Sequence, residues 1–438
     1  VSIFFNIAWG AGLAAASPYI AVKLIANRRW RKGFRERLGN VPRREGDRPC
    51  IWIHGPSVGE INAAKPLYAL IRERLPQYDV VVSAFTPEGR EQGVKNFGSA
   101  FLLPLDFTPF LKRAVEAVRP DCVVFIERDL WPNFLSALYG RGIPAVVANG
   151  IVSERMVRRM RLLNRLSGGL AGRRLLGGVG AYCVQTGLYA ERLEGLGVDK
   201  GKIFVTGNMK YDNLCDSVSA ERVAALRRAL GAGERDWFLV AGSTAPGEEA
   251  IVLEAFRQLR RKYDNVRLVI VPRHIDRAED VEKAVAAVGY ARARKTAIDS
   301  GAFNREQLRG AVVIVDKMGE LLDFYAIASA AFVGGSIVEG RGGQNMLESA
   351  ALGVATLFGP HVKNFQESAD LLLGAEGAKM VRDAREMYAT LDFLRDNPVK
   401  SADIAARGRE AALKVRGAGE KTFERLEAIL GTARKTSR

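Results

Sequence analysis

The chain has 438 residues, 48% of them hydrophobic, and a formal net charge of +16. That composition excludes a disordered chain, and the length suggests two or three domains at ~150 residues each. Its four cysteines, Cys50, Cys122, Cys183 and Cys215, form no CxxC pair, which argues for free thiols in a reducing compartment and against a disulfide framework or a zinc site.

The first 22 residues, VSIFFNIAWGAGLAAASPYIAV, carry no charge; roughly 20 apolar residues are what a helix needs to cross a bilayer. A cleaved signal peptide would place its cations before the apolar run. Here they follow it, ten basic against three acidic residues from Lys23 to Arg48. Residues 1–25 therefore read as a membrane anchor, crossing the bilayer or lying in one leaflet, with the body on the cytoplasmic side by the positive-inside rule.

After the basic block, apolar runs alternate with amphipathic stretches. Strands are expected at IWIH (51–54), DVVVSAF (79–85), CVVFI (122–126), AVVAN (145–149), AYCVQ (181–185) and IFVTGN (203–208). A polar helical stretch from Asp212 to about Asp236 intervenes. The pattern restarts with WFLVAGS (237–243), VRLVIVP (266–272), VVIVD (312–316), AAFVGGS (330–336) and VATLFGP (354–360). Val/Ile runs alternating with helices imply buried parallel strands, hence an α/β chain of two Rossmann-like halves divided near residue 220. The three histidines, His54, His274 and His361, all fall in strand-to-helix turns, where open parallel sheets bind ligands. An enzyme is the leading class.

Four turns carry candidate chemistry. In His54-Gly-Pro-Ser-Val-Gly-Glu60, Gly55 to Gly59 matches the G-x-S-x-G elbow of serine hydrolases with Ser57 as nucleophile, but few residues precede it and no HGGG-type oxyanion segment is present. Ser57-x-x-Glu60 equally reads as a capping box, or Glu60 as a general base. Ala241-Gly-Ser-Thr-Ala-Pro-Gly-Glu-Glu249 opens a helix whose dipole Glu248 and Glu249 complement, or holds a phosphate on backbone N–H groups beside Ser243. Arg273 in VPRH, next to His274, offers the fork that pairs with phosphate or carboxylate. Gly334-Gly335 open a stretch with five glycines in positions 334–343, which lets backbone approach a ligand. Asn345-x-x-Glu348 follows as a cap or as an acceptor for a ribose diol. Together with Met318-Gly319-Glu320 and the FGPH turn, this loop points to a nucleotide. A P-loop, an early GxGxxG, HExxH and any D-x-D pair are absent, the last arguing against a metal-bridged diphosphate. From Glu154 to Arg174, seven arginines face one glutamate, suited to an anionic membrane or a phosphorylated substrate; support for nucleic-acid binding is lacking.

These motifs, in order along nearly the whole chain, resemble the Kdo (3-deoxy-manno-octulosonic acid) transferases of lipopolysaccharide assembly: IWIHGPSVGE, RDLWPN, VTGNMKYD, AGSTAPGEE, VPRH, KMGELLDFYAIASAAFVGGS, GGQNMLESAALG and LFGPHVKNF. The resemblance implies a GT-B fold, two Rossmann-like domains facing across a cleft, with an N-terminal anchor (1–25), an acceptor domain (26–220) and a nucleotide-sugar donor domain (221–438). It implies inverting, metal-independent transfer of Kdo from CMP-Kdo to a lipid A precursor, without a cofactor, on the cytoplasmic face of an inner membrane with anionic lipids. Glu60 would be the base, with Asp129 as a second catalytic carboxylate. Ser243, Arg273, His274, Met318, Gly319, Glu320, Gly334, Gly335, Asn345 and Glu348 would bind the donor. Ser57, Arg155, Arg158 and Arg159 would meet the acceptor and its phosphates. Another GT-B transferase using a UDP-sugar is the alternative. Gln344 stands where the family usually has histidine, and Asp129 where it has glutamate.

Overall fold

Runs of β-branched and aromatic residues, apolar on both faces, belong in parallel strands covered by helices on each side. The computed structural model describes residues 6, 33–128, 130–166, 168–169, 172 and 175–436. The anchor expected at 1–25 (Asn6 excepted) and Asp129 lie outside the described residues. Among these, no helix is long and apolar enough to cross a membrane.

The first unit holds seven parallel strands: β1 (Cys50–His54), β2 (Asp79–Ala84), β3 (Phe101–Leu102), β4 (Cys122–Ile126), β5 (Ala145–Gly150), β6 (Val179–Val184) and β7 (Ile203–Val205). Their order is β3-β2-β1-β4-β5-β6-β7. The chain leaves β1 in one direction and returns to its other side at β4, so the topological switch lies between these two strands. The second unit repeats the plan with β8 (Trp237–Thr244), β9 (Val266–Pro272), β10 (Ala291–Arg294), β11 (Ala311–Ile314), β12 (Ala330–Val333), β13 (Ala355–Phe358) and β14 (Ala378–Met380). Here the order is β10-β11-β9-β8-β12-β13-β14, and the switch lies between β8 and β12. The α/β expectation is met in both units. The strands not foreseen, β3, β10 and β14, are all edge strands. An edge strand is covered on fewer sides and needs no long apolar run.

The boundary differs from the expected 220. The second unit spans 214–415, and residues 416–438 return to the first. Helix Ala418–Thr436 does this for two reasons. Phe423, Leu426 and Leu430 are buried in the same cluster as Leu67, Ile71 and Met209. Asp212 caps the helix, accepting from Gly417 N (2.7 Å), Ala418 N (3.1 Å) and Gly419 N (2.5 Å). A carboxylate on free N-terminal amides is worth about 1–2 kcal/mol.

Candidate active site

In the first unit, the turn after β1 places Glu60 in the first turn of helix Val58–Ala63. Its Oε2 accepts from Ser57 N at 3.1 Å and also contacts the Ser57 hydroxyl. Both contacts end on Oε2, leaving Oε1 without a hydrogen bond among the described residues. The capping reading and the base reading are thus compatible, one oxygen for each. The hydrolase alternative fails on geometry. Ser57 Oγ is engaged by Glu60, while His54 Nδ1 is 2.9 Å from Ser83 Oγ, which also accepts from Trp52 Nε1 at 2.7 Å. His54 is fully buried, and desolvation, which outweighs its bond to Ser83, pulls its pKa down to about 3. It is a neutral structural group.

Across the switch, β4 is followed directly by Glu127, whose role was not foreseen. Glu127 adopts φ 67° and Asn149, in β5, adopts φ 56°. Such left-handed backbone is costly for non-glycine residues and persists where surroundings enforce it, often at functional sites. Glu127 is buried and takes a salt bridge from Lys210 at 2.7 Å, with the Lys210 side chain half exposed. Asn149 Nδ2 donates to Glu127 Oε1 at 3.3 Å, and its Oδ1 accepts from Met209 N at 2.9 Å. The sequence signals were the Asn-Gly pair at 149–150 and the GNMK run at 207–210. Arg155, Arg158 and Arg159 lie exposed on helix Glu154–Leu166 beside half-exposed Leu162.

The second unit gathers most of the expected donor residues at one edge of its sheet. Ser243, next to last in β8, adopts φ 55° where the β8–β9 register shifts. Arg273 and His274 follow β9, both exposed, with Arg273 N donating to Thr244 O at 3.1 Å. Gly334 and Gly335 follow β12, and a Cβ at 334 would stand 2.7 Å from Glu248 Oε2 and from Thr244 Cα. Only glycine lets these two loops meet. Glu348 heads helix Leu347–Ala351, and Asn345 Nδ2 donates to its Oε1 at 3.2 Å. Burial pushes the Glu348 carboxyl up, against the Asn345 bond and the charge of Arg273. Met318 is 83% exposed, free to cover a ligand. Glu320 is instead tied into an ion network, 3.5 Å from Lys295 and 3.2 Å from Lys317; it orders the loop that carries Met318 and Gly319.

Glu248 and Glu249 stand in the first turn of helix Glu248–Lys262, as expected of partners of its dipole, and both are also buried. Glu248 occupies amides that a phosphate would need: Oε2 accepts from Gly335 N (2.6 Å) and Ala245 N (2.8 Å), Oε1 from Ser336 N (2.8 Å) and Ile337 N (2.9 Å).

Two Rossmann-like parallel-sheet units define an α/β protein of GT-B-like fold. The fold is shared with UDP-GlcNAc 2-epimerase from Neisseria meningitidis (TM-score 0.57, 14% identity, 86% of this chain and 100% of that one). Residues 32–213 match the family model of 3-deoxy-D-manno-octulosonic-acid transferase (kdotransferase). The chain is 32% identical over 414 residues to the 3-deoxy-D-manno-octulosonic acid transferase of Chlamydophila psittaci, covering 93% of this chain and 92% of that one. To that of Haemophilus influenzae it is 29% identical, over 94% and 95%. The chain belongs to the 3-deoxy-D-manno-octulosonic acid transferase family and is a glycosyltransferase.

Proposed function

We propose that the enzyme transfers Kdo from CMP-Kdo to a sugar hydroxyl of a lipid A precursor, with inversion and without a metal ion. The observation that carries this is the gathering of Ser243, Arg273, Glu348 and the glycine loop at the strand ends around the β8/β12 switch, in a chain of this family. An arginine fork suits the CMP phosphate, and the remaining Glu348 oxygen suits a ribose hydroxyl. Ser243, His274, Met318, Gly319 and Asn345 line the same strand-end edge. Glu60 Oε1 takes the proton of the acceptor hydroxyl as that oxygen attacks the anomeric carbon, and CMP departs with the electrons of the broken C–O bond. Fixed positive charge on the departing phosphate, supplied by Arg273, takes the place of a metal. Asp129 is the second carboxylate of the acceptor side, and Ser57 orients Glu60.

The acceptor is lipid-linked, and three features suit that setting: the uncharged segment at 1–22, the basic block behind it, and the arginines at 155, 158 and 159. In this reading they hold the enzyme to the cytoplasmic face of an inner membrane and meet the phosphates of the acceptor. Cations near an anionic surface contribute ~1 kcal/mol each.

The test is a transfer assay with CMP-Kdo and lipid IVA read by mass spectrometry, before and after dialysis against EDTA. Mass increments of whole Kdo units, unchanged by EDTA, are expected. Transfer only from a UDP-sugar, or loss of turnover on chelation that metal restores, would overturn the donor or the metal-free step respectively.

A further inference from the structure

Glu248 and Glu249 are adjacent in sequence, buried, and directed at different loops. Glu248 accepts four backbone N–H bonds, three from residues 335–337 after β12 and one from Ala245 after β8. Glu249 Oε1 accepts from Thr244 Oγ1 and is 2.8 Å from Arg277 Nη1. That same Arg277 nitrogen donates to Thr244 O at 3.1 Å, the carbonyl that also accepts from Arg273 N. Ser336 carries the linkage onward: its Oγ accepts from Gly359 N at 2.8 Å and its carbonyl from His361 N at 2.8 Å. The loops after β8, β9, β12 and β13 are thereby fastened together through two carboxylates and one serine.

We propose that Glu248 and Glu249 are positioning residues for nucleotide-sugar binding. They hold Ser243, Arg273 and Gly334–Gly335 in a binding geometry that exists before the ligand arrives. A buried carboxylate filling the amide concavity has a second consequence. The donor phosphate is excluded from the amides of 335–337 and falls to Arg273. Strand-end loops rich in glycine are intrinsically floppy, and ordering them in advance removes an entropic cost from each binding event. The proposal rests on the donor reading given above for this unit.

The experiment is titration of the full chain with CMP by calorimetry, alongside donor and acceptor KM. Wild type comes first: no CMP binding there would sink the donor reading and this proposal with it, whereas the variant results below bear on the proposal alone. With wild type binding, Glu248→Gln puts an NH2 group against two backbone N–H donors whichever way the amide turns. It is expected to weaken CMP binding and raise donor KM roughly 10-fold or more, with acceptor KM unchanged. Glu248→Asp keeps the charge but loses reach, so it recovers only part. Hydrogen exchange at 335–337 should speed in both variants, while β8 and β9 stay protected. Because exchange is read locally, it remains informative even where a variant loses global stability. Folded Glu248→Gln with wild-type CMP affinity, or with donor and acceptor KM raised alike, overturns the proposal.

Discussion

The two units share a strand plan yet equip the same edge in opposite ways. In the second unit, the amides after β12 are consumed by Glu248, and Glu249 pairs with Arg277 to tie the loops after β8 and β9. In the first, Glu60 Oε1 has no hydrogen bond among the described residues, and the arginine-rich helix presents exposed cations. A soluble nucleotide donor of fixed shape rewards a rigid mould. For the lipid-linked acceptor proposed above, an accessible base and a charged approach surface would be rewarded instead. The contrast shows how one fold divides labour: function is set by what fills the strand ends, not by the sheet.

The sharpest way to break this contrast is Glu60→Gln. If the first unit supplies the base, turnover should fall roughly 10²–10⁴-fold with CMP affinity unchanged; near wild-type turnover would remove Glu60 from the chemistry. Arg273→Ala should act in the complementary way. Losing a charge-assisted contact to the phosphate should cost about 1.5–3 kcal/mol, read as a 10- to 100-fold weaker CMP affinity, with vesicle binding intact. Reversing Arg155, Arg158 and Arg159 to glutamate should weaken co-sedimentation with phosphatidylglycerol vesicles roughly tenfold or more at low salt, and leave CMP binding alone. Equal loss on neutral vesicles would discard the electrostatic account.

Smaller effects test the buried groups of the first unit. Lys210→Met leaves Glu127 buried without its cation. Since the lysine is half exposed, a cost of about 1–3 kcal/mol is expected, partly recovered in the double variant with Glu127→Gln. Two groups should also give this unit a pH signature. His54 has a folded pKa of about 3 against an ordinary value near 6.5, so below pH ~6.5 the unfolded chain binds a proton that the native state refuses. Stability therefore falls with pH across that window, by up to ~1.4 kcal/mol per unit. Asp106, pushed up to about 6 by burial despite bonds from the Asn133 and Phe134 amides, has the opposite sign. Its native carboxyl takes a proton first, so it adds stability as pH falls from about 6 to its unfolded value near 3.8. Thermal midpoints should thus drop from pH 7.5 to 6, then flatten. Asp106→Asn should steepen the acid limb, and His54→Leu should remove the early fall. An unchanged profile in His54→Leu would discard this assignment.

Much of the fold and part of the site could be read from residues alone. Runs such as CVVFI and VRLVIVP declared themselves as buried parallel strands because a strand covered on both faces has no polar positions. The short edge strands did not, ARAR at 291–294 being half exposed and charged. Ser57-x-x-Glu60, VPRH and the glycine stretch were legible because strand-to-helix turns need particular backbone and capping chemistry at fixed spacing. Local spacing could not reveal that residues 416–438 return to the first unit, since Asp212 and Gly417 are 205 positions apart. Nor could it show that His54 turns to Ser83, that Lys210 neutralises Glu127, or that Glu248 stitches a loop 87 residues onward. Sequence by itself determined which residues end strands and start helices, because those are contests among near neighbours. Only the tertiary structure decided which carboxylates stay available and which are spent inside, because burial and long-range partners belong to the folded chain.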